Sequence, residues 1–264
     1  MAARARLRWL RTGYAIMAAM GGRDDRRPRR EELRRPHVQV SLDLTSIDDA
    51  LRVAQIAVHA GVDWLEAGTP LILAEGLRAV RALHDRFPAV PVVADLKTMD
   101  GGYLEVEMMA RAGASWCVVM GVAHPATVKA CVAAARDYGI GIMGDVLAAP
   151  DKAANARLLQ DLGVDVIIVH TGYDERREVK GASPWDDLAS VVAAVDLPVQ
   201  AVGGLKLEDL PKLPDAGAPL VVVGAPLVID NEAFRPSESD DERLARVIGD
   251  VVRAVKGATQ GGNI

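Results

Sequence analysis

The sequence predicts a (β/α)8 barrel, and three observations predict it. From residue 37 onward, eight short apolar runs that read as strands alternate with segments whose apolar residues recur every three or four positions. Hairpin signals between the runs are scarce, so the strands should lie parallel, and eight such units are the number that closes a barrel. The chain has 264 residues, 50% of them apolar, enough for the single large core of a barrel, which typically needs roughly 250 residues. An open doubly wound sheet is the competing architecture. Against it, the first strand-to-helix turn, Asp43-Leu44-Thr45-Ser46, carries no GxGxxG fingerprint.

In chain order, residues 1–36 come first and differ from everything after them. They hold Arg4, Arg6, Arg8 and Arg11, then Arg23, Arg26, Arg27, Arg29, Arg30, Arg34 and Arg35, around a short apolar patch at 14–20. Such charge density buries too little surface to repay ordering, so this stretch is expected to be a disordered extension outside the fold. An Arg-rich targeting leader is an alternative, as is a true start at Met17 or Met20. Strands are expected at 38–42, 63–66, 91–94, 115–120, 140–146, 165–169, 198–202 and 219–223. Helical spacing covers 47–60, 73–87, 103–112, 126–138, 153–162, 185–195 and 205–210, with a last helix at about 242–255. The barrel domain is therefore placed at 37–258, followed by a flexible tail at 259–264.

Composition excludes several functions. The net charge of −5 gives no whole-chain signal for nucleic acid. No apolar run approaches the roughly 20 residues of a membrane span. Cys117 and Cys131 lie in apolar surroundings, which fits buried thiols in a reduced, cytoplasmic protein and neither a disulfide framework nor a metal cluster.

The chemistry gathers where strands end. The stretch 93–100 is an apolar strand that runs directly into Asp95, Lys97 and Asp100, none of which is buried cheaply unless it pairs or binds something. Strand alternation points Asp95 and Lys97 to one side, while Asp100 lies in the loop beyond. Asp43 follows the first strand, Glu66 ends the second, Asp145 lies on the fifth and His170 ends the sixth. In a barrel all of these converge on the C-terminal rim. Taken singly, each residue also has an ordinary use, and Asp43 could simply cap the next helix. Glu66 and Asp95 offer the oxygen ligands of a hard cation such as Mg²⁺, and the chain lacks the histidine pair or cysteine cluster that zinc prefers. Lys97, among Asp43, Asp95 and Asp100, should remain protonated and can stabilise a developing oxyanion. His170 is the proton-transfer candidate, because imidazole ordinarily titrates near neutrality. Gly203-Gly204 after the seventh strand and Gly224-Ala225 after the eighth allow backbone N–H groups to approach a phosphate closely.

Asp95-Leu96-Lys97-Thr98-Met99-Asp100 is a DxKxxD motif, and from about residue 38 to 228 the chain resembles the orotidine 5'-phosphate decarboxylase superfamily. Glu-Ala-Gly-Thr-Pro at 66–70 resembles the branch containing hexulose-6-phosphate synthases and 3-keto-L-gulonate-6-phosphate decarboxylases; nucleotide decarboxylases usually have lysine where Glu66 stands. His170-Thr171-Gly172-Tyr173-Asp174 is most similar to the synthases, since the gulonate enzymes typically have arginine where Tyr173 stands. The resemblance implies a lyase in which Mg²⁺, held by Glu66 and Asp95, binds D-ribulose 5-phosphate. His170 would remove the C1 proton, and the enediolate, stabilised by Lys97, would attack formaldehyde. It further implies that Asp43 and Asp145 orient sugar hydroxyls, and that Asp100 reaches into the neighbouring subunit's site of a homodimer. Decarboxylation of a keto sugar acid phosphate, or phosphosugar binding without turnover, are the alternatives. Ala225 follows Gly224 where both decarboxylase types place a phosphate-binding arginine, as a Gly-Ala pair often does in the synthases. Two departures stand out: 174–185 is more charged than the corresponding lid of the synthases, which a different phosphorylated ketose, another aldehyde or drift in a solvated loop would each explain, and Pro226 and Leu147-Ala148-Ala149-Pro150 are unusual.

Overall fold

A computed structural model describes residues 31–225 and 241–257. Eight parallel strands close into a barrel in sequence order, β1 (His37–Leu42), β2 (Trp64–Ala67), β3 (Val92–Thr98), β4 (Trp116–Met120), β5 (Gly141–Asp145), β6 (Val166–His170), β7 (Val199–Val202) and β8 (Leu220–Ala225). Pairing of β1 with β8 closes the ring, which removes both sheet edges. The helices described around it are α1 (Ile47–His59), α2 (Thr69–Glu75), α3 (Leu77–Arg86), α4 (Gly102–Ala112), α5 (Pro125–Tyr138), α6 (Lys152–Leu162), α7 (Tyr173–Glu178), α8 (Trp185–Val192) and α9 (Asp241–Gly257).

Alternation along each strand sorts the core into two layers. Val38, Val40, Leu42, Leu65, Ala94, Cys117 and Ile142 face the helices and pack with their apolar sides. Trp64, Val93, Trp116, Val118, Met143, Val166, Ile168 and Leu220 form the separate cluster that fills the barrel. Trp64 and Trp116 stack with centroids 5.3 Å apart. A β-carbon at Gly141 would lie only 2.1 Å from the Trp116 ring, so that position must be glycine for the indole to fit. The same parity continues upward, and the next inward positions after Trp64, Val93, Met143 and Ile168 are Glu66, Asp95, Asp145 and His170. Packing at the floor and chemistry at the mouth therefore share one register.

Four expectations are corrected. Residues 32–34, assigned to the extension, pack on the barrel: a 3₁₀ turn at Glu32–Arg34 buries Leu33 in the cluster that fills the barrel, and Arg34 donates to the Asp196 carbonyl at 2.9 Å. Residues 1–30 and the tail at 259–264 lie outside the described residues. The helix expected at 73–87 is two helices, because Gly76 adopts φ +62° and breaks the hydrogen-bond ladder between α2 and α3. Between β7 and β8 the helix expected at 205–210 is absent; Pro211 and Pro214 limit the segment to turns and one 3₁₀ turn at Leu210–Lys212. The charged lid after β6, expected as a loop, contains the short helix α7.

Among the described residues no helix is long and apolar enough to cross a membrane. Cys117 and Cys131 are both buried and free, and burial pushes both thiols up, Cys131 to about 12.

Candidate active site

β3 supplies the centre of the site, and it does so by breaking its own regularity. Its register with β4 shifts between Ala94 and Thr98, and Lys97 sits at φ +52°, a left-handed conformation that costs a non-glycine residue roughly 1–2 kcal/mol. The irregularity aims the Lys97 ammonium back over the strand, where Nζ donates to Asp95 Oδ2 and, at 3.1 Å, to Thr69 Oγ1. Thr69 Oγ1 also lies 2.8 Å from Asp95 Oδ2 and 2.9 Å from the Asp95 carbonyl. Burial works against the Lys97 charge, but Asp95, followed by Asp145 and Glu66, holds its pKa above the usual lysine value. It is therefore a protonated lysine at neutral pH.

Opposite Lys97, carboxylates are crowded. Burial pushes Glu66 up to about 8, with Asp95 and Asp43 adding to the effect. Burial likewise raises Asp43 to about 6, helped by Asp95 and opposed by Lys97 and the Ser41 hydroxyl. Ser41 Oγ donates to Asp43 Oδ2 at 3.2 Å. Helix α1 is capped by Ser46, so Asp43 is left for the site. Its close approach to β2 requires Gly68, since a β-carbon there would sit 2.3 Å from Asp43 Oδ1. Beneath Glu66 lies a buried amide relay: Gln200 Nε2 donates to Gln39 Oε1 at 3.2 Å, and Gln39 Nε2 donates to Glu66 Oε2 at 2.8 Å. The relay fixes one Glu66 oxygen toward the barrel interior.

The sixth strand contributes the imidazole. His170 Nδ1 lies 2.8 Å from Asp145 Oδ2, and the other Asp145 oxygen accepts the Leu147 N–H at 2.8 Å. Asp145 is almost wholly buried, and both of its oxygens are engaged, one of them with His170. With Nδ1–H bound to the carboxylate, Nε2 is the nitrogen left to take a proton. The β6 end also touches the glycine turn after β7: a β-carbon at Gly203 would lie 2.1 Å from the Thr171 carbonyl oxygen and 3.2 Å from His170 Cδ2. Gly203 and Gly204 have φ of +101° and +71°. Gly224 is exposed at the rim on β8, and Ala225 is buried, its carbonyl accepting the Asp43 N–H at 2.9 Å.

Asp43, Glu66, Asp95, Lys97, Asp145 and His170 thus share one mouth, and electrostatic influence runs among them. Asp100 does not join them; it lies exposed beyond β3 without a hydrogen bond or ion pair to a described residue. Gln39, Ser41, Thr69 and Gln200 were not anticipated from the sequence, although the inward parity of Gln39-x-Ser41-x-Asp43 signals two of them. As a test of the expected cation, the donors are all oxygens, and their carboxyl groups resist ionising together without a positive charge beside them, which suits Mg²⁺. Asp95 Oδ2 is taken by Thr69 and Lys97, which leaves Oδ1 for a cation. Among the described residues no group of three or more His, Cys, Asp or Glu is placed to hold a metal, so water and substrate would have to complete the shell.

Residues 36–233 match the orotidine 5'-phosphate decarboxylase / HUMPS family. The chain is 38% identical over 189 residues to the 3-hexulose-6-phosphate synthase of Methylomonas aminofaciens, covering 71% of this chain and 88% of that protein. The crystal structure of 3-hexulose-6-phosphate synthase from Salmonella typhimurium superposes with a TM-score of 0.73 at 30% identity, covering 83% of this chain and 99% of that one. The structure of 3-keto-L-gulonate-6-phosphate decarboxylase from Vibrio cholerae gives 0.68 at 27% identity, covering 83% and 97%.

The raised carboxyls predict a pH-dependent stability. A folded-state pKa above the unfolded value contributes stability at low pH that is lost as pH rises through the folded value, so Glu66 should cost stability between about pH 5 and 8. In EDTA, the melting temperature of the wild type should fall relative to Glu66→Gln across this window, and Mg²⁺ at pH 8 should raise the wild type but not the variant. A gap between the two proteins that stays constant with pH would contradict the crowding described here.

Proposed function

The chain belongs to the orotidine 5'-phosphate decarboxylase / HUMPS family, in its hexulose-6-phosphate synthase branch, and on that premise we propose that it joins formaldehyde to D-ribulose 5-phosphate to give D-arabino-hex-3-ulose 6-phosphate. The observation that carries the reading is the His170–Asp145 pair facing Lys97 across one mouth. His170 Nε2 takes a proton from C1 of the ketose, and the electron pair moves to the C2 oxygen as an enediolate. Lys97, fixed by Asp95 and Thr69, donates to that oxygen as its charge develops. C1 then attacks the formaldehyde carbon, and the proton held on His170 passes to the new alkoxide, which returns the imidazole to its starting state. Asp145 keeps the ring in the tautomer this transfer needs. Glu66 and Asp95 would hold Mg²⁺, whose charge supplies Lewis-acid polarisation of the ketose oxygens. Asp43 stands beside them to receive a sugar hydroxyl, and the turns at Gly203-Gly204 and Gly224-Ala225 receive the phosphate.

The reading extends to a homodimer. Asp100 emerges from its own barrel beside exposed Met99, with exposed Leu104 and Met108 on the following helix α4 and Leu73 on α2. Exposed apolar side chains of this size suit a protein partner. A second copy would cover them and take Asp100 into its site.

Two experiments test these statements. Purified protein with D-ribulose 5-phosphate and Mg²⁺ should consume formaldehyde, and His170→Ala should lower kcat by roughly 10²–10⁴-fold, the usual worth of a general base. Absence of consumption by folded protein, with CO2 released from 3-keto-L-gulonate 6-phosphate, would replace the synthase with a decarboxylase; turnover of neither would leave a binding protein. For the dimer, Asp100→Ala and Lys97→Ala subunits are each expected to be inactive alone and to regain activity on mixing. Subunits that exchange without recovery would show that Asp100 serves no neighbouring site.

A further inference from the structure

We propose that Arg176, on α7, is the guanidinium that binds the substrate's phosphate. The proposal rests on the phosphoketose reading above and concerns which residue of this chain holds the phosphate. After β8 the sequence reads Ala225-Pro226, so an arginine is not available at that point. At Gly203-Gly204 the β7 turn presents backbone, and the N–H groups of Gly204 and Leu205 donate to no described residue.

Arg176 lies across this turn. A β-carbon at Gly204 would fall 2.4 Å from Arg176 Cδ and 3.1 Å from its Nη1, so the absence of a side chain at Gly204 is what admits the arginine. The arm is held in place from its other side. Arg176 Nε donates to the Gly172 carbonyl at 3.1 Å, the same oxygen that accepts its backbone N–H, also at 3.1 Å. The guanidinium carbon is 5.8 Å from the centroid of the Tyr173 ring. These contacts use Nε and the aliphatic stem and leave both terminal nitrogens without an acceptor among the described residues; no described carboxylate pairs with the side chain. A half-buried guanidinium with a free terminal edge beside two free backbone N–H groups has the donors to take a phosphate on several oxygens at once. Its neighbour makes the contrast: Arg177 is exposed, and its Nη1 donates to the Tyr173 hydroxyl at 2.9 Å. The charge of this segment, expected from the sequence to belong to a solvated loop, is thereby divided between one arginine aimed at the turn and one that braces Tyr173. An anion over Gly204 also leaves the sugar chain running back toward His170, whose ring borders Gly203.

The test separates this inference from the reading beneath it. Wild type, Arg176→Ala, Arg176→Lys and Arg177→Ala are assayed with D-ribulose 5-phosphate and with unphosphorylated D-ribulose, and inorganic phosphate binding is followed by calorimetry. For Arg176→Ala, KM for the phosphorylated ketose should rise about 10- to 100-fold, the equivalent of one charge-assisted hydrogen bond, with kcat much less affected and kcat/KM for D-ribulose unchanged. Inorganic phosphate should bind correspondingly more weakly, Arg176→Lys should recover part of the loss, and Arg177→Ala should keep the wild-type KM. An unchanged KM in Arg176→Ala, or an equal loss with both sugars, would overturn the role of Arg176 and leave the synthase reading intact. Conversely, a wild type that turns over no ribulose 5-phosphate but binds inorganic phosphate through Arg176 would support the anion site and overturn the assigned reaction.

Discussion

The mouth of this barrel is governed by the crowding of buried carboxyl groups. Asp43, Glu66 and Asp95 approach one another where water is largely excluded; burial, Asp95 and Asp43 push Glu66 well above the ordinary carboxylate range, and burial and Asp95 do the same to Asp43. Such crowding is unfavourable for the fold by itself. It persists because the strands that carry these groups are fixed from below by the Trp64 and Trp116 stack, and because Lys97 is bent into a left-handed conformation to face Asp95. Backbone strain at β3 and electrostatic strain at the mouth are two parts of one arrangement, which in the proposed reaction a hard cation, the oxygens of a ketose, or both would relieve.

The parts divide the work by distance from the reacting carbon. Lys97 and His170 reach the mouth from different strands, and each is held by its own carboxylate, Asp95 or Asp145. Glu66 is oriented from within by the relay from Gln200 through Gln39. At the far side of the mouth, the β7 glycines and α7 form a region built around backbone donors and arginine. On the proposed reading, proton transfer and anion binding fall to separate elements, so the phosphate region can vary without disturbing the base.

Most of the barrel was legible because a closed parallel sheet imposes a strict alternation. Once Val93 or Ile168 is read as inward, Asp95 and His170 must follow, and Asp43 and Glu66 obey the same rule on β1 and β2. Other residues were hidden for definable reasons. Leu33 is one apolar residue in an arginine-rich run, and composition averages over it. Asp145 was visible, but its hydrogen bond to His170 joins adjacent strands and depends on register, which spacing does not give. Thr69 and Gln200 look like ordinary polar residues of a turn and a strand, and only the closed ring shows that they face the site. Gly76 splits a continuous apolar stripe into two helices, because a stripe records which face is buried and not whether the backbone is unbroken. The helix expected at 205–210 stopped before Pro211, and its short apolar spacing fitted turns equally well, with one 3₁₀ turn at Leu210–Lys212.

The central claim is that His170 removes a proton from the carbon next to the ketose carbonyl. The most direct measurement is proton NMR of D-ribulose 5-phosphate in D2O with enzyme and no formaldehyde, following loss of the C1 signal. The account predicts that the wild type exchanges a C1 proton for deuterium and that His170→Gln does not, while still binding the sugar phosphate. Exchange at the wild-type rate in His170→Gln would contradict it, as would a wild type that binds the sugar and leaves C1 untouched.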